Sequence, residues 1–181
     1  MEGRGKMIEF SELIIGSVED YDKLYDYVGK EAIDDYAVET LKRFVGTSCN
    51  KIVVEYPYHD KDFLSTYYCY YSQKFRSFPK KCYRLHIMGK DEVYYGYIVL
   101  RPTVKGTRLG TTYLSPKPLI NEEAYLMLAK YEAHIMDNKC EIKCFPWMKQ
   151  EVDISVCAHV AAWTILRYYG NKYHNYADTT M

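Results

Sequence analysis

The residues best suited to chemistry lie near the end of the sequence. Gln150 and Cys157 stand seven positions apart, at the head of a run from Ser155 to Tyr169 whose apolar spacing predicts a helix. With Ser155 or Asp153 as the cap, Cys157 falls in the first turn, where free backbone N–H groups and the aligned peptide dipoles favour an anion. The thiolate is the reactive form of cysteine and a helix amino terminus lowers the thiol pKa, so this placement suits a nucleophile attacking a carbonyl. The side-chain amide of Gln150 would add a donor beside the nucleophile's own N–H for a developing oxyanion. The competing reading of Cys157 is a small buried core residue, a common fate of free cysteine.

A thiol nucleophile also needs a base. His159 is two residues further along the helix, about 200° round its axis at about 100° per residue, and so points away from Cys157. His174 follows the full length of the helix, about 20 Å or more away at about 1.5 Å per residue. His59, His86 and His134 all precede the cysteine. Spacing selects none of the five as the base.

Gln150-x6-Cys157, followed by an apolar helix ending Leu166-Arg167-Tyr168-Tyr169-Gly170, resembles the opening of the papain-like cysteine peptidases. It is most like bacterial members similar to the bacteriocin-processing, double-glycine peptidases. The resemblance covers about residues 145–175, roughly a sixth of the chain. It implies that Cys157 is the nucleophile and Gln150 the oxyanion donor, and that the substrate is a peptide or protein. It also implies a general-base histidine, with its orienting Asp or Asn, well downstream of the cysteine. Two readings fit a chain of 181 residues: an inactive relic, or the front part of a longer cysteine-peptidase-like protein that is inactive as this fragment. A helix apolar over most of its circumference is expected to be buried, which favours the second. No cofactor and no metal is expected.

Other motifs carry weaker chemistry. Lys74 to Arg84 (KFRSFPKKCYR) holds five cations and no acid, interleaved with Phe75, Phe78 and Tyr83. The alternative function is therefore a non-catalytic binding module using residues 74–84 for an acidic or nucleic-acid partner, with a solvated connection as the plainer reading. His134, Cys140 and Cys144 read as sheet residues, since about 13 Å of extended chain between the cysteines is too far for one tetrahedral zinc ion. The Gly106–Gly110 loop lacks the Gly-Lys-Ser/Thr ending of a nucleotide-phosphate loop. Cys69, inside a tyrosine cluster, is expected to be buried and inert.

The elements that would position these residues predict an α+β fold. Two or three helices are expected across residues 8–45, stopped at Gly29 and Gly46, then a buried strand over residues 51–58 and a helix opened by Asp60 to Asp62. Residues 82–88 and 93–100 predict a hairpin, and 111–114 a further short strand. Residues 125–135 fit helix or strand, and 139–147 a returning strand. The final helix is expected to end at Gly170. The division predicted is an amino-terminal α+β domain over residues 1–145, with a recognition or regulatory role, and the opening of a papain-like domain over 146–181.

Composition narrows the classes. Twenty-four basic and 24 acidic residues give no net charge, so no global field draws the chain to nucleic acid, although residues 1–50 carry 11 acids against 6 bases. No run approaches the roughly 18 apolar residues of a membrane span. Six scattered cysteines suggest reduced thiols and a cytoplasmic protein. Twenty-one tyrosines dominate the aromatic content, and at least half of the paired ones are expected to be structural.

Overall fold

Beta-branched and aromatic residues favour the pleated, half-buried surface of a sheet, and the stretch Cys49–Tyr58 forms the strand β2 around which the fold is built. The computed structural model describes residues 7–102, 108–118, 125–150, 157–173, 177 and 179–180. Five strands run as an antiparallel meander in chain order: β1 (Glu9–Ile14), β2, β3 (Cys82–Gly89), β4 (Tyr94–Leu100) and β5 (Leu109–Leu114). A separate hairpin pairs β6 (Ala129–Ile135) with β7 (Asn138–Cys144). The helices are α1 (Leu24–Val28), α2 (Asp35–Phe44), α3 (Lys61–Cys69) and α4 (Cys157–Lys172). The fold is α+β.

Both faces of the sheet are covered, because alternate residues of each strand are apolar on one side and mixed on the other. Ile52 and Val54, Leu85 and Ile87, and Ile98 and Leu100 pack with Leu24, Val28, Val38 and Leu41 of α1 and α2 in the main core. The opposite face carries Glu55, Arg84, His86, Tyr97 and Tyr113. α3 reaches it through Phe63 and Tyr67 beside Val99, and α4 through Tyr168 beside Tyr113 and Tyr131. Gly96 allows the closest approach in the sheet: its φ is +127°, and a Cβ there would lie 1.9 Å from the Tyr113 carbonyl oxygen.

Three local expectations are corrected. Residues 9–14 form β1 rather than part of a helix; only Leu13 of this edge strand is buried, so its alternation is faint in the sequence. The final helix runs through Gly170 to Lys172. It is also not buried all round: Val160, Trp163, Arg167 and Tyr168 form its inner face, whereas Ile165 and Leu166 are about half exposed. The ambiguous stretch resolves as strand β6, whose residues alternate strictly between buried and exposed. Helix α1 stops before Gly29, at φ 80°, as its sequence predicts.

Capping fixes where α2 begins. Asp34, in extended conformation, accepts a hydrogen bond at 2.8 Å from the Ala37 N–H. Asp34→Ala is therefore expected to cost about 1 kcal/mol, read as a lowered urea midpoint with unchanged slope; no change would mean that the α2 start is held by packing alone.

Candidate functional site

Cys157 is the first described residue of α4 and is exposed; Gln150 is exposed as well. Among the described residues no hydrogen bond joins them, and the proposed caps Ser155 and Asp153 lie outside those residues. His159 is exposed on the same helix, two residues and about 200° from Cys157. Of the upstream histidines, His59 and His134 are exposed and His86 is fully buried. His134 projects from the outer face of β6, whereas Cys144 is fully buried within the hairpin, so the two are not on one face.

What holds α4 in place is a buried charge cluster. Arg167 donates through Nη2 to both carboxylate oxygens of Asp62, at 2.8 and 2.9 Å, and the Trp163 indole N–H donates to Oδ1 at 3.0 Å. Asp62 and Arg167 are 2% and 5% exposed, so this ion pair is removed from water and its geometry decides whether it holds. Asp60, the cap of α3, accepts from the Phe63 N–H at 2.9 Å and the Thr111 hydroxyl at 3.2 Å. Burial first, and the Asp62 charge second, push its carboxyl up to about 6.

A second buried network lies across the same face. Glu55 accepts from Arg84 Nε at 2.6 Å and meets His86 Nε2 at 3.0 Å, while His86 Nδ1 lies 2.8 Å from the Tyr94 hydroxyl. Burial lowers the His86 pKa, with the Glu55 hydrogen bond opposing it, so the imidazole is neutral at pH 7. A carboxylate only accepts; His86 must therefore carry its proton on Nε2 and accept from Tyr94 on Nδ1. Burial alone would raise the Glu55 pKa, but the His86 bond and the Arg84 charge outweigh it and the net shift is downward.

Between these networks opens a cavity of about 760 Å³, lined by Arg84 and Arg167 and by the rings of Tyr58, Tyr97, Tyr113 and Tyr131. The Arg84 guanidinium lies over Tyr58 at 4.2 Å and Tyr97 at 5.3 Å. Burial raises the pKa of Tyr58 to about 12 and that of Tyr97 far above its ordinary value, so the hydroxyls stay protonated donors. A wall of tyrosine faces with fixed hydrogen-bonding groups suits a polar ligand with flat surfaces. Its α4 lining, Arg167 to Asn171, is about 15–21 Å along the helix from Cys157, so cavity and thiol cannot share one chemical step.

The thiols divide by exposure. Cys49, Cys82 and Cys144 are buried and Cys140 partly so; burial raises the pKa of Cys49 and Cys140 and takes Cys144 to about 12. Cys69 is exposed, contrary to expectation, because Tyr67 and Tyr71 take the inner face of their segment and leave it outside. Asp60, Asp62, Glu55, Arg84 and Arg167 escape a motif search. Their signal is charge inside apolar runs, as in Cys82–Met88 and the body of α4. Compared with protein-family models, curated proteins and solved structures, the chain matches none.

Proposed function

We propose that this chain is the front part of a cysteine-peptidase-like protein, in which Cys157 attacks a peptide carbonyl and the preceding α+β unit recognises the substrate. The observation that carries the reading is an exposed thiol on the first described residue of α4, a helix whose inner face is clamped to the body through Asp62. A nucleophile must be accessible yet fixed, and a helix amino terminus supplies both position and a stabilising field. In the acylation step sulfur bonds to the carbonyl carbon, the electron pair moves to oxygen, and collapse expels the amine as it takes a proton. The thiol proton passes to a histidine that the resemblance places downstream of the cysteine, since neither His159 nor buried His86 is placed to take it. Gln150 is the oxyanion donor in this reading, swinging towards Cys157 when substrate binds. The half-exposed Ile165 and Leu166 fit a helix that further protein covers. The tyrosine-lined cavity, about 15–21 Å along the helix from the thiol, would take a substrate residue about four to six extended positions from the scissile bond.

Alkylation tests this directly, with Cys69 as a built-in control of equal accessibility class. At pH 6, iodoacetamide should modify Cys157 at least ten times faster than Cys69, followed by peptide mass mapping. Equal rates at every pH from 5 to 9 would leave Cys157 an ordinary surface thiol and overturn the reading.

A further inference from the structure

The cations of segment 74–84 have three fates, the first being that of Arg84, which is held by Glu55 in the buried network. Lys74 lies over the Tyr70 ring at 4.1 Å, and Lys80 over Tyr67 and Tyr68, each at 4.9 Å. Arg76, which also lies 5.9 Å from the Phe78 ring centre, and Lys81 line a cleft of about 570 Å³ on the other face of the sheet, at the edge of the main core and away from α4. Arg101 and Arg108 line it from the end of β4 and the start of β5. Four cations thus line a space whose described lining contains one carboxylate, the exposed Glu31, although the charge of Arg101 also reaches the buried carboxylate of Asp60. Among the described residues Arg76, Lys81 and Arg108 form no ion pair with any carboxylate.

Like charges gathered on a low-dielectric wall repel one another and focus a positive potential into the cleft, and an anion relieves both effects. One cation is already fixed: Arg101 is 5% exposed, and its Nη2 donates to the Leu109 and Lys149 carbonyls at 3.0 and 2.7 Å. Its stem packs over Gly110, where a Cβ would lie 2.7 Å from Arg101 Cγ. Two arginines and a lysine at the cleft, backed by the buried Arg101, match the charge of a phosphate or diphosphate better than that of a single carboxylate, and guanidinium forks suit phosphate oxygens.

The cleft also has a flat wall. Tyr56 of β2 and Tyr83 of β3 stack at 4.3 Å with 25° between their planes, and both rings line the space. A planar ring laid against them gains stacking without any need for a matching hydrogen-bond code. The volume lies within the range of about 300–1,000 Å³ usual for small-ligand sites.

We propose that this cleft binds a nucleotide, its phosphates held by Arg76, Lys81 and Arg108 in front of the buried charge of Arg101 and its base lying along the Tyr56–Tyr83 pair. The site is independent of Cys157 and does not depend on the peptidase reading.

Isothermal titration of the full chain at low ionic strength tests it, with ADP, pyrophosphate, adenosine and deca-thymidylate as probes. ADP should bind one to one, at least ten-fold tighter than either pyrophosphate or adenosine. Arg76→Ala/Lys81→Ala should weaken ADP at least ten-fold. Both residues are exposed, so the variant should melt as the parent does. Tyr83→Leu should weaken ADP while leaving pyrophosphate unchanged. Absence of ADP binding, or binding unaltered by Arg76→Ala/Lys81→Ala, would overturn the site. Pyrophosphate as tight as ADP would overturn the nucleotide assignment, as would deca-thymidylate binding far more tightly, which would make the cleft part of a nucleic-acid path.

Discussion

Asp62→Ala is expected to destabilise the fold by about 3–5 kcal/mol, the cost of removing one partner of a buried ion pair and leaving the other charge in place. The loss concentrates on α4. With the carboxylate gone, the Arg167 guanidinium and the Trp163 indole N–H both lose the acceptor that they share, at a point where neither meets water. Urea unfolding should show a midpoint shift, and Trp163 emission should move to longer wavelength as the helix loosens; Trp147, bridged to Thr112 of β5, should move less. Asp62→Ala combined with Arg167→Met should recover much of the loss, since removing both charges leaves none stranded. The single variant should also erase the faster alkylation of Cys157 over Cys69 that the peptidase proposal expects, because a helix that no longer holds its place no longer presents a fixed thiol. A loss below 1 kcal/mol, with Trp163 emission unchanged, would show that apolar contacts of Val160 and Tyr168 hold α4 without the pair.

That clamp also marks the limit of what the sequence discloses. Local signals sufficed for β2, the β3–β4 hairpin and the start of α3, because a run such as residues 51–58, the turn after Gly89 and Asp60 as cap each act within a few residues. They failed where a partner lies far along the chain. Asp62 and Arg167 are 105 positions apart, and nothing in either neighbourhood names the other. The same distance effect misled the reading of α4: side chains apolar on nearly every side suggest complete burial, but the sheet and hairpin offer it only one contact face. Strand β1 was missed because an edge strand buries little, and its pattern then resembles the helices that follow. Of the candidate site, the helix that carries Cys157 was legible. The two buried networks and the cavity between them were not, since they arise from β2, β3, α3 and α4 meeting in space.

Asp60 gives a prediction of opposite sign to that for Asp62. Its carboxyl, ordinarily near 3.8, is pushed up to about 6, first by burial and then by the Asp62 charge. Bonds from the Phe63 N–H and Thr111 and the charge of Arg101 offset this only in part. Between these two values the folded protein binds the proton more tightly than the unfolded chain, so this group makes stability fall as pH rises through the window, with no further change above it. At about 1.36 kcal/mol per pKa unit, the ionised group opposes folding at pH 7 by about 3 kcal/mol. Asparagine removes the charge and keeps the bonding. Both hydrogen bonds enter the same oxygen, Oδ2, so one amide oxygen can accept them, and Asn caps helices as well as Asp does. Asp60→Asn should therefore be more stable than the parent by about 1–3 kcal/mol at pH 7, and the gain should vanish near pH 4. The variant should also uncover a slope that the parent conceals. Burial holds the His86 pKa below 6.5, so there the unfolded chain binds the proton more tightly and stability falls as pH drops. In the parent the two groups pull against each other between about pH 4 and 6.5; in the variant only the loss on acidification remains. Urea midpoints from pH 4 to 8 separate these cases. A variant less stable than the parent at pH 7 would mean that ionised Asp60 serves Arg101 as a net stabilising partner, and that the carboxylate is retained for the pair rather than despite its burial.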